Sequence, residues 1–449
     1  MKKRLMLLTA VSFLTMAGCS YNLNANGPRV ADTTIMIYMC GADLESEHYS
    51  DYNSQGILID KGPIGLATAD LKEILSVKGQ PDDVNIIVQT GGAKEWSKEL
   101  GISSKELGRY HVENNNLVKD DHLLKASMGS KKTFQSFLEW GLTEYPAEKT
   151  GVILWNHGGA LDGVCFDESF RNDSLTDNEV AEALKGAFKT VGRTEKLDWI
   201  GYDACLMSVQ DIAEINSNYF KYMVASEEAE VGEGWAYDAW VDDLYEHKPV
   251  EEVLTAVCDG FIKSVDDMVD YYRRYGYDIS NDQNLSVINL DNIGAYKNAI
   301  ETLAEDIKTT VSTNKTSFRT IMKRVKSYAN QVFESNDYYT YTHYYGYPTS
   351  WFSNNNDGTY TLHGYYFYGT FDAYDALVKM ENSSLLAGYS EQIQAAKDAL
   401  DDVILYNKRG NAAGESNGLC VVVPMEDYYN QVNYSANFTN FSNWRALFR

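Results

Sequence analysis

Two reactive residues stand at the ends of apolar runs in this sequence. Gly151-Val152-Ile153-Leu154-Trp155 leads into Asn156-His157-Gly158-Gly159, and Leu197-Asp198-Trp199-Ile200-Gly201-Tyr202 leads into Asp203-Ala204-Cys205. Runs of this kind fit strands buried on both faces of a parallel sheet. In open α/β sheets, ligands bind in the crevice at the carboxyl ends of the strands. Placed there together, an imidazole can take the proton of a thiol and return one to a leaving amine. The N–H of Gly158 is a candidate donor to a developing oxyanion, and that of Cys205 is a second. A helix expected from Ser208 would turn its positive end toward the sulfur and favour thiolate. Taken singly, a Cys closing a buried strand or a His before Gly-Gly is usually a packing residue. Their equivalent placement on two strands is what points to catalysis.

The elements that must position these residues repeat as strand and helix. Further apolar runs lie at residues 33–39, 84–88 and 222–226, and another lies inside Gly418–Pro424. Helical spacing is read over residues 69–77, 133–145, 177–191 and 208–216, with Thr176 or Asp177 and then Glu179 as a start signal for the third. The pattern predicts an α/β fold: a mostly parallel sheet with helices on both faces. After about residue 290 the texture changes. Amphipathic helices are expected over 298–332, Tyr- and Gly-rich antiparallel strands over 337–372 with a turn at Asn354–Gly358, and a helix over 390–405. The expected organisation is a signal segment at 1–19, a flexible tether at 20–32, an α/β domain at 33–290 that carries His157 and Cys205, and a smaller mixed α+β region at 291–449 packing on it.

An apolar strand ending in His-Gly, followed by one ending in Ala-Cys, resembles the signature of the caspase–gingipain–legumain clan of cysteine peptidases. Within that clan the chain resembles the clostripain family. The resemblance is carried by Ile35-Met36-Ile37-Tyr38-Met39-Cys40-Gly41-Ala42-Asp43-Leu44-Glu45, by Trp155–Gly159, by Tyr202–Met207, by Ala225-Ser226-Glu227-Glu228 leading to Gly234-Trp235, and by Gly418–Pro424. It implies a caspase-like fold, with Cys205 as nucleophile and His157 as acid/base partner. It also implies cleavage after Arg or Lys in protein or peptide substrates. Asp203 suits that preference physically. It lies two residues before Cys205 and points to the same side of an extended chain, where a carboxylate can pair with a guanidinium or ammonium. Its competing reading is a cap on the following helix. Glu228 and Glu233 are further candidates for the acidic pocket.

The resemblance further implies an inactive precursor, cut by the enzyme itself in the loop after the His. Arg171 is the one basic residue between Asp162 and Thr176 and is the expected site; Arg193 and Lys196 are alternatives. No cofactor is required by the sequence. Some members of the family depend on Ca²⁺, and Asp43, Glu45 and the Asp167–Asp173 segment could supply oxygen ligands, though without EF-hand spacing. Cys40 stands where the family often has a small residue, and its expected role is buried packing.

Composition narrows the partners. Across 449 residues, 64 acidic side chains outweigh 39 basic ones, for a net charge of −25. That field repels nucleic acid. Lys2, Lys3 and Arg4, then an apolar run too short to span a bilayer, then Met16-Ala17-Gly18-Cys19, resemble a bacterial lipoprotein signal. Cleavage before Cys19 and lipidation of its sulfur are expected, giving an exported protein anchored to a bacterial membrane at the cell envelope. The other five cysteines are too scattered for a disulfide framework or a zinc site. The oligomeric state is open, with a monomer favoured. A rival reading is a catalytically silent surface lipoprotein that binds through Tyr-rich stretches such as Tyr271–Tyr275, Tyr338–Tyr341 and Tyr344-Tyr345; another is a related peptidase of different primary specificity.

Overall fold

The computed structural model describes residues 28–46, 50–52, 58–61, 64–277, 279–328, 331–334, 352–354, 359–362, 368–424 and 441–448. The signal segment with Cys19, most of the tether, and the Tyr-rich stretches at 338–341 and 344–345 lie outside them.

A nine-stranded sheet organises the chain. Its strands are β1 (Ala31–Cys40), β2 (Val84–Gly91), β3 (Glu106–Glu113), β4 (Asn116–Leu124), β5 (Ala147–Trp155), β6 (Leu197–Asp203), β7 (Phe220–Ala225), β8 (Asn284–Asn289) and β9 (Ile404–Arg409). They lie in the order β9-β8-β7-β6-β5-β1-β2-β3-β4. The five central strands, β7-β6-β5-β1-β2, are mutually parallel, and the outer pairs on each side run antiparallel. The mostly parallel α/β sheet read from the apolar runs is therefore the observed one. Its edges are antiparallel, and β9 joins it from the far end of the chain.

Alternation explains why the central strands read as unbroken apolar runs. In β1, Met36, Tyr38 and Cys40 enter one core, and Ile35, Ile37 and Met39 enter the other. In β5, Val152 and Leu154 face the first core, while Ile153 and Trp155 face the second. Successive strand side chains point to opposite faces, so a strand covered on both sides must be apolar at every position. The first core is closed by α3 (Lys131–Glu144), α4 (Asp177–Val191), α5 (Gln210–Asn216) and α7 (Ile293–Thr313). The second is closed by α2 (Leu66–Ser76) and α6 (Val250–Arg274).

Helix α4 shows how local sequence fixes an element. Thr176 accepts the Glu179 N–H, and the Glu179 carboxylate accepts the Thr176 N–H, forming a reciprocal capping box. Val180, Ala183, Leu184, Ala187 and Phe188 then fall on one buried stripe. Beyond residue 290, the long amphipathic stretch divides into α7 and α8 (Lys315–Met322). The helix expected over 390–405 stops at Asp401, because Ile404 begins β9. Strand Cys420–Pro424 pairs with Tyr368–Asp372 rather than with the main sheet. Strands 352–354 and 359–362 pair antiparallel, while residues 355–358 of the expected turn lie outside the described residues.

Candidate active site

Chain order reverses direction across the sheet beside β1: β2 lies on one side of it and β5 on the other. A crevice at the carboxyl ends is expected at such a point. There, four adjacent strands each deliver one side chain or wall. β1 runs into α1 (Ala42–Ser46), which carries Asp43; β5 runs into His157, β6 into Cys205, and β7 into the loop with Glu230. The pairing Asp203↔Trp155 and the bond from Asn156 N to Asp203 O at 3.3 Å hold the His and Cys tips side by side.

A cavity of about 260 Å³ opens at this point. It is lined by both reactive residues, by Asp203 and Glu230, and by Val231, Gly232 and Gly234. Gly158 packs directly on the loop of Cys205, where any Cβ would collide with the Cys205 carbonyl oxygen. That approach turns the Gly158 N–H toward the Cys205 sulfur, and the N–H of Cys205 itself also favours negative charge there.

His157 is partly exposed, and its Nε2 lies 3.0 Å and 3.1 Å from the two oxygens of Asp43. The same bond holds the Asp43 carboxyl below the usual range. Asp43 was legible in the sequence only as an acidic loop residue. The Cys205 thiol donates to the Glu230 carbonyl at 3.7 Å. Burial, reinforced by Glu230, pushes the thiol up to about 12. The depressed thiol expected from a helix terminus does not occur. Helix α5 starts at Gln210 rather than Ser208 and spans only seven residues.

Asp203 is 4% exposed, and its carboxyl is pushed up to about 7 by burial. Its Oδ1 accepts the Trp235 N–H at 3.2 Å, and its Oδ2 accepts the Tyr237 hydroxyl at 3.0 Å. It does not cap α5, whose N-cap is Val209 with no side-chain bond. Gly234, at φ 64°, keeps the chain clear of the Asp203 oxygens. Of the carboxylates expected at the pocket, Asp203 lines it. Glu233 is exposed, Glu228 turns its oxygen to the Ala229 N–H, and neither lines the cavity. Glu230 takes their place, its carboxyl raised well above the ordinary range by burial and by Asp203. Asp70, fully buried behind the pocket, accepts the Trp155 indole N–H at 2.6 Å.

The candidate Ca²⁺ ligands each meet a protein donor, and among the described residues no group of three or more His, Cys, Asp or Glu side chains is placed to hold a metal ion. Both Asp43 oxygens face His157. Glu45 accepts the Thr68 N–H, the Thr68 hydroxyl and the Ser97 N–H. Asp167 accepts the Met128 and Ser169 N–H groups, and Asp173 accepts the Ser127 hydroxyl. Arg171 is exposed at the turn between strands Val164–Asp167 and Asp173–Leu175, in a left-handed conformation with φ 63°. Cys40 is buried, with its thiol toward the Phe166 carbonyl at 3.8 Å, which is the packing role expected of it.

The description of the clostripain family matches residues 60–448. The chain belongs to that family. Clostripain from Hathewaya histolytica is 22% identical over 463 residues, covering 92% of this chain and 78% of its own. Among solved structures, a secreted C11 cysteine protease from Bacteroides thetaiotaomicron, bound to an irreversible peptide inhibitor, aligns with a TM-score of 0.57 at 14% identity. It covers 93% of this chain and 99% of its own. An inactive zymogen C11 protease from Parabacteroides distasonis aligns with a TM-score of 0.54 at 16% identity, covering 94% and 99%. This clostripain-family chain is therefore a cysteine-type peptidase with a caspase-like α/β fold, and it acts on protein or peptide substrates.

Proposed function

We propose that the chain is an endopeptidase that cleaves after Arg or Lys, with Cys205 as nucleophile and His157 as general acid and base. The observation that carries this reading is the cavity in which Cys205, His157 and Asp203 share one wall system at adjacent strand ends. Asp43 occupies Nε2 of His157, which leaves Nδ1 to exchange protons with the thiol. The resting thiol is neutral, so its proton leaves as the sulfur attacks the scissile carbonyl. The C–S bond forms, and the carbonyl oxygen takes negative charge facing the N–H groups of Gly158 and Cys205. Collapse breaks the C–N bond, and the imidazolium gives its proton to the departing amine. Water, deprotonated by His157, then hydrolyses the thioester.

Basic specificity is supported by the buried carboxyl groups of Asp203 and Glu230. Burial raises both, and a bound cation repays part of that. A substrate Asp would meet like charge there. Activation by self-cleavage at Arg171 is supported by its exposure in the hairpin after His157. Export and lipid anchoring through Cys19 to a bacterial membrane complete the reading, on the sequence of residues 2–19.

The test is a panel of fluorogenic peptides with Arg, Lys, Asn or Asp before the scissile bond, assayed on the wild type and Cys205→Ala. Cleavage of the Arg and Lys members alone, abolished in the variant, is expected. Preference for Asn would dismiss the acidic pocket, and activity in Cys205→Ala would dismiss the nucleophile.

A further inference from the structure

The loop after β7 carries a second buried carboxyl group, which takes no part in the chemistry above. Glu227 is fully buried. Its Oε2 accepts the side-chain amide of Asn284, on β8, at 3.0 Å and the N–H of Gly418 at 2.7 Å. The Cys420 thiol donates to its Oε1 at 3.5 Å. The same short segment grips the nucleophile's loop. Ser208 donates its hydroxyl to the Gly418 carbonyl at 2.6 Å, and the Cys420 N–H donates to the Ser208 carbonyl at 2.8 Å. The two loops are also bonded to each other, from Leu206 N to Glu228 O at 3.1 Å and from Ser208 N to Ser226 O at 2.9 Å. Behind them, buried Asp372 accepts the Asn417 N–H at 2.6 Å and the Tyr328 hydroxyl at 3.1 Å, fixing the far side of the segment.

Three parts of the chain that are distant in sequence thus meet at one carboxyl group. Glu227 stands three residues before Glu230, whose carbonyl receives the Cys205 thiol and whose neighbours Val231, Gly232 and Gly234 line the cavity. We propose that Glu227 is a positioning residue for substrate recognition: it fastens the pocket wall to the Gly418–Cys420 segment, so that the primary pocket keeps its shape only while this part of the C-terminal region is docked. The proposal rests on the peptidase reading of the pocket. Donors converge on both Glu227 oxygens in a buried interior, where an unmade hydrogen bond is costly. Removing the carboxyl leaves the Gly418 N–H and the Asn284 amide without that acceptor and frees the wall to shift. A shift of about 1 Å in a positioning element can cost about a hundredfold in rate.

Glu227→Ala, Glu227→Gln and Asn284→Ala in the full chain test this, with two readouts. One is KM and kcat on an arginyl peptide; the other is the rate of Cys205 alkylation by iodoacetamide, which needs no primary pocket. Glu227→Ala and Asn284→Ala are expected to raise KM about tenfold or more, with a clearly smaller change in the alkylation rate, since the same wall carries the Glu230 carbonyl that receives the thiol. Glu227→Gln, which keeps an acceptor oxygen, should recover most of the loss. An unchanged KM in folded Glu227→Ala overturns the proposal, as does an equal loss in both readouts. If Glu227→Ala does not fold, an unchanged KM in Asn284→Ala overturns it instead. A wild type that cleaves neither arginyl nor lysyl peptides defeats the reading of the pocket itself, and the fastening role with it.

Discussion

His157 Nε2 lies 3.0 Å from Asp43 Oδ1 and 3.1 Å from Oδ2, so the imidazole at the tip of β5 is tethered from the helix that follows β1. In the proposed mechanism this carboxylate would fix the ring plane and stabilise the imidazolium. Asp43→Ala should lower kcat by about a hundredfold with a smaller change in KM. Asp43→Asn, which keeps an oxygen acceptor, should lose less. Steady-state kinetics on an arginyl peptide checks this; equal losses in the two variants would reduce Asp43 to a fold residue.

Asp203 gives a pH signature. With its carboxyl raised to about 7 by burial, it is largely protonated below that pH and offers no charge to a cationic side chain. KM for arginyl peptides should therefore fall as pH rises from 6 to 8. Binding favours the ionised form, so the saturated enzyme should show the same step at lower pH. In Asp203→Asn the step should vanish, together with the preference for basic residues. A pH-independent KM in the wild type would mean the carboxylate is already ionised when the pocket is empty.

The thiol behaves differently from one poised by a helix end. Burial and Glu230 hold Cys205 at about 12. Alkylation of the free enzyme by iodoacetamide should accordingly be slow at pH 7 and still climbing at pH 10, since only thiolate reacts. A plateau reached by pH 7 would show a resting thiolate and move the proton transfer ahead of substrate binding.

How far these features could be read from the sequence depended on their kind. The central strands were legible because burial on both faces leaves each as one apolar run, and the tips of β5 and β6 followed from where those runs end. Helix α4 was legible through Thr176 and Glu179. The partner of β8 was not. Nothing local in Ile404–Arg409 marks it as an edge strand of the main sheet, because its placement is decided by pairing across more than a hundred residues. The loop after β7 has Glu227, Glu228, Glu230 and Glu233 within seven residues. Which of them points inward is set by backbone bonds such as Leu206 N to Glu228 O, not by residue type. Asp43 carried a visible charge, but its partner is 114 positions away.

Gly158 allows a sharp steric test. A methyl group there would press on the Cys205 carbonyl oxygen and on Met207 and Ala204. Gly158→Ala should fold, because the clash is confined to two loop tips, yet lose about a hundredfold or more in kcat as the oxyanion donor is displaced. A circular dichroism melt beside the kinetic assay separates the two effects. Full activity would take the Gly158 N–H out of the mechanism.

Processing is tested separately. The wild type is expected to be cut in two and Arg171→Ala to stay in one piece, as followed by intact-mass analysis of purified protein. Unchanged fragments would move the cut to another residue, with Arg193 and Lys196 the next to try.

In the proposed reaction the Cys205 sulfur attacks a substrate held by its basic side chain. An arginyl peptide chloromethyl ketone, which alkylates a catalytic thiol only when seated in the pocket, tests it most directly by intact mass and peptide mapping. One adduct per chain on Cys205, prevented by excess arginyl substrate and absent from Asp203→Asn at the same dose, is the predicted result. An adduct on another residue, or equal labelling by an aspartyl analogue, would contradict it.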